Sequence, residues 1–432
     1  MSIAATLNTS TQQTESLLFS VLIQLAVMIG AARLLNRIFQ RLGQPGVVGE
    51  IVAGLLLGPS LFGHFFPGLS LSIFGARPAA PISILSQIGL ILLMFQIGMS
   101  FEFAQLAQMR ARRALLPITA VSILVPLGLG IALGHFSAPM LASSIPANVY
   151  ALFCGVALAI TAVPILGRIL VQYGMQRHEL GVLAISAAAL NDVIGWLLLA
   201  VVSALATATF APQQSFKQIA DVFGFAGFCF FLLRPAAALL LRKFPVQDNE
   251  VPPTLMAILL ICVFCMAMCT YRLGIFSIFG GFVAGLLVHH DRIFAEAWRR
   301  QVGGFVLVFF LPIFFTFSGL RTNLLGLTGA SDWLWALAFL AAGSFGKIIP
   351  IFAVSRLFGY GNAAAALLAV LMNTRALMEL IVLNIGLETG FLPQKVFTML
   401  VIMAVMTTLM TGPLLRVTMP RLNLPIPRDI EA

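Results

Sequence analysis

The sequence predicts an all-α polytopic membrane protein, and three observations lead to that fold class. The chain is 60% hydrophobic and only 9% charged, whereas an average soluble domain is about 25% charged. Its mean hydropathy is +1.02. Windows of mostly apolar residues, of the roughly 20 residues that a transmembrane helix needs, recur along the whole length. The chain is therefore expected to cross a bilayer many times.

Thirteen apolar windows are the predicted transmembrane helices. In chain order they are 17–38, 46–63, 82–101, 114–134, 149–170, 179–206, 218–241, 253–270, 275–289, 302–318, 333–356, 363–387 and 396–417. The connections between them are short, and fifteen residues follow residue 417. We expect one integral membrane unit over 1–432, without a soluble C-terminal domain.

The distribution of basic residues predicts the orientation. The net charge of +10 is not spread evenly, because most of the 25 Lys and Arg residues lie in the odd-numbered connections and at the C-terminal end. The basic residues of the even-numbered connections are Arg77, Lys217, Arg272, Arg321 and Lys395. Cytoplasmic loops carry the excess of Lys and Arg. The N-terminus should lie outside a cell (inner or plasma) membrane and the C-terminus in the cytoplasm, and nucleic acid is not an expected partner.

Weak internal similarity predicts inverted repeats. "EIVAGLLLG" (50–58) in the second helix is similar to "GFVAGLLVH" (281–289) in the ninth, and "LMFQIGMSF" (93–101) in the third is similar to "FFTFSGLRT" (314–322) in the tenth. Both pairs are seven helices apart, and an odd separation reverses the direction across the bilayer. Inverted-topology repeats are typical of secondary transporters.

The same offset pairs the fifth helix with the twelfth, and both contain interruptions. In "AITAVPILGRIL" (159–170), Pro164 removes a backbone donor and clashes with the preceding turn. In "LMNTRALMELIVLNIG" (371–386), polar and charged residues stand in an apolar helix. Unwound backbone at membrane depth is tolerated only where protein or a watery cavity covers it. Two such segments in matching positions predict a substrate site near the midplane.

Acidic residues within the windows are the candidates for chemistry. Asp192 stands deep in the sixth helix with no opposite charge within a turn. A central charged residue costs about 2.5–3.5 kcal/mol on insertion scales, so it is a functional candidate. Glu379 is four residues beyond Arg375 on the same helix face, where the two charges neutralise each other. Glu50 lies near a helix start.

Lys347 is the candidate positive charge for pairing with Asp192. It lies in the middle of the eleventh helix, in "AAGSFGKIIPIF" (341–352). A buried ammonium pairs, occupies a watery cavity or loses its proton. Two roles stay open at this point. Lys347 either satisfies backbone carbonyls of the interrupted helices or takes part directly in ion binding.

Together these residues predict a site for a small hard cation. Such an ion prefers several oxygens, from carboxylate, amide, hydroxyl and main-chain groups. Asp192, the adjacent Asn191 and Thr161 beside the interruption supply these types. One site that holds either a proton or a cation, and opens to each side in turn, defines an antiporter. No cofactor is expected.

Cysteines offer a weaker alternative site. Cys262, Cys265 and Cys269 have helical spacing and resemble a metal site in outline, but no His or carboxylate shares that helix face. We interpret them as small buried hydrophobic residues.

Six blocks in order resemble the monovalent cation:proton antiporter superfamily, in the branch with plant cation/proton exchangers and bacterial sodium/proton and potassium/proton antiporters. They are "GQPGVVGEIVAGLLLGPSLFG" (43–63), "ITAVPILGRIL" (160–170), "LNDVIGWLLLA" (190–200), "GGFVAGLLV" (280–288), "LPIFFTFSGLRTNL" (311–324) and "NTRALMELIVLNIGLE" (373–388). The resemblance covers residues 43–417. It implies the sodium/proton antiporter fold of about thirteen helices, with two crossing broken helices, a homodimer and an elevator-like movement.

By position, the resemblance assigns Asp192 as the carboxylate that binds the cation and the proton, with Asn191 and Thr161 beside it. Lys347 is the basic residue of the core, and Arg375, Glu379 and Glu50 are supporting charges. The expected core comprises helices within 82–206 and 302–417. The expected dimerisation scaffold comprises helices within 17–63 and 218–289.

The chain also departs from the family pattern. Electrogenic relatives have two adjacent acids, where this chain has Asn191 before Asp192. Relatives of the other branch that share Asn-Asp place a Glu one turn earlier, where this chain has Ala187. Potassium-efflux and plant relatives carry large cytosolic C-terminal domains, so gating through such a domain is not expected. Sodium and potassium are not distinguished by the sequence.

Three other function classes are alternatives to cation/proton exchange. A channel would need a filter such as a TVGYG-like run, which the sequence lacks. A sodium-coupled solute symporter on the same fold stays an alternative, although its cavity should need more polar lining. An intramembrane aspartyl protease would need a second mid-membrane Asp beside Asp192. The sequence therefore favours a transporter over an enzyme.

Overall fold

The computed structural model describes residues 2–44, 46–75, 80–99, 112–175, 178–207, 221, 224–246, 250–273 and 277–424. Within these ranges, eleven helices are long and apolar enough to cross a membrane, and two shorter apolar helices accompany them. All thirteen predicted windows therefore coincide with helical segments. The predicted loop residues Arg77 and Lys217 lie outside the described residues.

The helices are numbered here by membrane segment. They are α1 (Ser2–Arg41), α2 (Gly46–Leu57), α3 (Ala80–Met99), α4 (Arg112–Leu141), α5a (Ala147–Ala159), α5b (Val163–Gln172), α6 (Glu179–Thr207), α7 (Gly224–Lys243), α8 (Pro253–Arg272), α9 (Ser277–Val288), α10 (292–320), α11 (Ala330–Leu357), α12a (Asn362–Met372), α12b (Leu377–Glu388) and α13 (Gln394–Thr418). Short helices at Phe62–Phe65 and Pro67–Phe74 follow α2.

Helix α10 begins ten residues before its predicted start at 302. Asp291 caps its first turn, because its carboxylate accepts a hydrogen bond from the Phe294 N–H at 3.0 Å. The helix then passes through two π-helical stretches, Arg299–Gly303 and Val306–Phe310. Charged residues before 302 lengthen the helix without making it more apolar, so hydropathy alone placed the start too late.

The packing shows the predicted inverted relation between the two halves. Helix α2 packs on α10, and α9 packs on α3. A Cβ at Gly54 would lie 2.9 Å from the Cα of Gly319, and a Cβ at Gly98 would lie 3.0 Å from the Cα of Gly285. These four glycines occupy corresponding positions in the two pairs of similar segments. The same backbone-to-backbone contact is therefore made twice, as small residues at membrane helix interfaces allow.

The remaining helices surround the interrupted ones. Helix α4 packs on α5a and α11, α11 packs on α12a and α13, and α6 packs on α4, α5a and α12a. The span from Asn362 to Glu388 is 94% buried, against 11% for the span from Gly224 to Lys243. The twelfth helix therefore lies at the centre of the molecule and α7 lies at its edge.

The interpretation of the cysteines on α8 as buried was wrong. Cys262, Cys265 and Cys269 are all exposed on the surface of this helix. In a membrane protein the lipid-facing surface is as apolar as the interior, so an apolar stripe does not tell which face is buried.

Candidate functional site

Two helix breaks meet at the centre of the molecule. The backbone of residues 160–162 separates α5a from α5b, and residues 373–376 separate α12a from α12b. The N–H of Ala162 donates to the C=O of Thr374 at 3.3 Å, so one break lies against the other. Ala376 has a φ of +93°, a backbone conformation that non-glycine residues rarely adopt. The predicted crossing of two broken helices is confirmed.

Asn191 ties the first break together. Its Oδ1 accepts the N–H of Thr161 at 3.1 Å, and its Nδ2 donates to the C=O of Ala159 at 3.2 Å and to Ser122 Oγ at 3.1 Å. Both backbone groups would otherwise be left unpaired where α5a ends. One side chain from α6 thus replaces part of the missing helical hydrogen bonding.

Lys347 supports the same break from α11. Its ammonium donates to the C=O of Ile160 at 2.9 Å and to Thr161 Oγ1. The side chain is completely buried. Of the two roles that the sequence left open, satisfying an exposed carbonyl of the broken helix is the one that these contacts display.

Arg375 connects the second break to neighbouring helices. Its Nη1 donates to the C=O of Ala157 at 3.2 Å and its Nη2 donates to the C=O of Gly343 at 2.8 Å. Glu379 Oε2 lies 4.0 Å from Arg375 Nη1, so the two form an ion pair in a region with no solvent exposure. The guanidinium is therefore hydrogen-bonded to the backbone of α5a and α11, and its contact with the Glu379 carboxylate is longer.

Asp192 is the other buried carboxylate at the crossing besides Glu379, whose two oxygens also accept no hydrogen bond among the described residues although Arg375 lies 4.0 Å away. Asp192 is 1% exposed, and among the residues that the structure describes neither of its carboxylate oxygens has a hydrogen-bond partner. The groups that act on it electrostatically are the N–H of Val163, at the start of α5b, and the ammonium of Lys347. A buried carboxylate that accepts no short hydrogen bond is expensive to keep charged.

The charges around the crossing balance. Asp192 and Glu379 supply two carboxylates, while Lys347 and Arg375 supply two cations, and all four are buried. Adding either one proton or one monovalent cation at Asp192 changes the net charge by the same amount. In terms of net charge, the two ions would therefore be equivalent at this position.

Asn373 is a polar group at the crossing that was not among the predicted site residues. It is 1% exposed, and within the described part of the chain neither its Oδ1 nor its Nδ2 has a hydrogen-bond partner. It directly precedes Thr374 in the second break. Ser122 was also missed, because a single serine in an apolar helix carries no pattern. Asn373 was visible within the interrupted segment, but nothing in the sequence distinguished it from its neighbours.

Glu50 does not join this site. Its Oε1 accepts a hydrogen bond of 2.6 Å from Asn36 Nδ2, between α1 and α2. Glu50 is 1% exposed. Its assignment as a supporting charge of the cation site is therefore not matched by its surroundings, since the carboxylate is engaged where α1 and α2 pack together.

Solved structures share this architecture. The sodium proton antiporter MjNhaP1 from Methanocaldococcus jannaschii matches with a TM-score of 0.63 over 94% of this chain and 99% of its own, at 16% sequence identity. The fold is thus that of a sodium/proton antiporter. Residues 25–419 match the family model described as sodium/hydrogen exchanger, transmembrane, and the chain belongs to this family.

Curated relatives agree with that membership. The Na(+)/H(+) antiporter NhaS4 of Synechocystis sp. is 39% identical over 404 residues, covering 92% of this chain and 96% of the relative. The Cation/H(+) antiporter 17 of Arabidopsis thaliana is 34% identical over 91% of this chain, and the K(+)/H(+) antiporter 1 of Saccharomyces cerevisiae is 29% identical over 92%. This chain spans 48% and 46% of the length of the latter two, respectively. The relatives are transporters, which confirms the prediction of a transporter and not an enzyme.

Proposed function

We propose that the chain is a secondary active antiporter that exchanges sodium or potassium for protons by alternating access at Asp192. The observation that carries this proposal is the Asp192 carboxylate, which is buried beside the crossing and accepts no hydrogen bond from the described residues. Family membership and the named activities of the relatives support the class of transport.

Asp192 is the group that changes its occupant. When it is protonated, the buried carboxyl is neutral. When the proton leaves, a cation takes its place and is held by the carboxylate and by neighbouring oxygens. Thr161 Oγ1 and Asn191 Oδ1 each accept one hydrogen bond in this structure and keep a further lone pair. We add Asn373 Oδ1 as an unpaired oxygen at the second break.

Lys347 and Arg375 hold the site in place. Each donates to backbone carbonyls near the crossing, so the breaks keep their shape whether the site is loaded or empty. Their positive charges also offset the negative charges of Asp192 and Glu379. This limits the attraction of the site for a cation and allows the bound cation to be released. Glu379 acts as the counter-charge of Arg375.

Alternating access requires two groups of helices that move relative to each other. We infer that α4, α5, α6, α11, α12 and α13 form the moving core that carries Asp192. The sequence-based division placed the third and tenth helices in the core as well, but α3 packs on α9 and α10 packs on α2. We therefore assign α3 and α10 to the scaffold, together with α1, α2, α8 and α9.

The topology and assembly follow from the same reasoning. With thirteen crossings and the basic residues in the odd-numbered connections, the N-terminus lies outside and the C-terminus lies in the cytoplasm of a cell membrane. We infer a homodimer with one complete cation site in each protomer. Native mass spectrometry in a gentle detergent that detected monomers alone would contradict the dimer.

Neutralising Asp192 is the test of this proposal. We expect Asp192→Asn to abolish cation-gradient-driven proton movement in proteoliposomes while the protein still folds, because an amide neither releases a proton nor compensates a cation. Asp291→Asn is the matched control, since asparagine caps a helix as well as aspartate does. Retention in Asp192→Asn of more than about a tenth of wild-type exchange, a difference of about 1.4 kcal/mol in barrier, would rule out the single-site mechanism.

The same proteoliposomes separate exchange from its rivals. A symporter would move cation and organic solute in one direction, and a channel would pass cations without proton counterflow. Only an antiporter lets an imposed gradient of sodium or potassium drive protons in the direction opposite to the cation, in the absence of any other solute. Repeating the measurement with each cation identifies the transported ion.

A further inference from the structure

A vestibule opens at the end of the molecule that the proposed topology assigns to the outside. It has a volume of about 360 Å³ and lies between α3, α9 and α10 on one side and α12b on the other. Its lining includes Gln87, Asn384 and Glu388, and also the apolar Ile91 and Ile278. Ile91 lies four residues, or about 6 Å, further along α3 than Gln87. Along α3 the lining thus passes from a polar side chain to an apolar one with depth.

An aromatic pair lies next to the vestibule. Phe279 follows Ile278 on α9, and its ring meets the indole of Trp196 on α6 in a T-shaped contact, with centroids 5.0 Å apart and planes at 78°. Both side chains are buried, at 7% and 4% exposure. An edge-to-face arrangement is a favourable geometry for two aromatic rings, in addition to the burial of their surfaces. The pair joins the inferred moving core to the scaffold.

Trp196 also stands directly beside the cation site. It is four residues after Asp192, so the two side chains lie on the same face of α6, about 6 Å apart along its axis. In the proposed topology α6 runs outward from the cytoplasm, so Trp196 lies on the outer side of Asp192, which is also the side of the vestibule.

Phe279 is the fixed member of the pair. Gly280 packs directly on the backbone of Met266 in α8, and Gly281 packs on Ile91 in α3. Close contacts on both sides hold this turn of α9 in place. By contrast, α6 packs chiefly on α4, α5 and α12a. Movement of α6 with the core would draw Trp196 away from a stationary Phe279.

We propose that Trp196, seated on Phe279, is the seal that separates the outer vestibule from Asp192. It excludes water and ions from the carboxylate while the site faces the other side, and it opens when α6 moves. The inference rests on the proposed function, because a seal has a purpose only at a site that opens to one side at a time. It names a residue that controls access and does not bind the cation itself.

The test is a proton leak that does not depend on cations. A pH gradient is imposed on proteoliposomes in a medium that contains a bulky organic cation and no other cation. A pH-sensitive dye inside the vesicles reports proton entry. We expect Trp196→Ala to raise this flux at least about tenfold over wild type, as a barrier lowered by about 1.4 kcal/mol would. Phe279→Ala should do the same from the scaffold side, which provides the test if the tryptophan variant does not fold.

Three further variants make the result specific. Leu197→Ala is the matched control, because Leu197 is adjacent on α6 but 59% exposed, and it should leave the leak at the wild-type level. Trp196→Phe should also keep the proton leak at the wild-type level, since it keeps an aromatic contact and removes a buried indole N–H that has no partner among the described residues. Adding Asp192→Asn to Trp196→Ala should eliminate the leak if the protons pass through the carboxylate.

A folded Trp196→Ala protein with wild-type tightness would overturn the proposal. So would a leak that persists when Asp192 is neutralised, or a Trp196→Phe leak as large as that of Trp196→Ala. The failure of the proposed function is read separately, as wild-type protein that shows no proton movement when a sodium or potassium gradient is imposed.

Discussion

At the scale of single residues, the side-chain amide of Asn191 pairs two backbone groups of the first break. Asn191→Ala would leave the N–H of Thr161 and the C=O of Ala159 buried without their side-chain partner. A buried group that loses its partner costs about 1–3 kcal/mol. We expect a clear fall in the melting temperature of the purified protein in detergent. The exposed Asn362→Ala is the control and should melt close to wild type. An Asn191→Ala protein as stable as this control would show that the amide does not support the break.

Some features of these residues could be predicted from the sequence, and others could not. Asp192 was identifiable because an unpaired acid in the middle of an apolar helix is expensive. The partners of Asn191 were not identifiable, since Thr161 is 30 residues away and Ser122 is 69 residues away. Helical spacing reports only on neighbours within a turn or two. For that reason it gave no indication of the contact between Asn36 and Glu50, which joins different helices.

At the scale of helices, two close contacts between glycines hold the scaffold. A Cβ at Gly54 would lie 2.6 Å from the carbonyl oxygen of Thr316 and 2.9 Å from the Cα of Gly319. Overpacking of this kind costs about 1–3 kcal/mol. We expect Gly54→Ala to lower the melting temperature, whereas Gly30→Ala, where no atom lies within 4 Å of the added Cβ, should keep or raise it. Equal melting temperatures for the two variants would contradict a tight contact between α2 and α10.

Helix breaks were easier to predict than helix faces. Pro164 and the polar run around Arg375 indicated interruptions, and the breaks lie at residues 160–162 and 373–376. Which side of α8 faces inward was not predictable, because lipid and protein interior favour the same apolar residues. The contact between Trp196 and Phe279 was hidden for the same reason, since two aromatic residues in apolar helices carry no distinguishing pattern.

At the scale of the whole molecule, the balanced charges at the crossing bear on stoichiometry. In the proposed mechanism one titrating carboxylate, Asp192, exchanges one monovalent cation for one proton, and the ammonium of Lys347 is held by hydrogen bonds to Ile160 and Thr161. We therefore expect electroneutral exchange. A transferred elementary charge is worth about 2.3 kcal/mol per 100 mV, which is readily detected.

This voltage dependence is tested by measuring exchange in proteoliposomes on which the diffusion potential of a non-transported ion is imposed. Exchange rates and endpoints should be the same at each imposed potential. A shift with voltage would mean that Lys347 or another group releases a second proton when the cation binds.

Competition between the two ions at Asp192 tests the central claim most directly. The measurement is the apparent affinity for the transported cation in proteoliposomes, determined at a series of pH values. If one carboxylate holds either ion, the affinity should weaken about tenfold for each pH unit below the pKa of the site and level off above it, because one proton competes with one cation. An affinity that stays constant as the pH falls, while exchange itself continues, would contradict a shared site at Asp192.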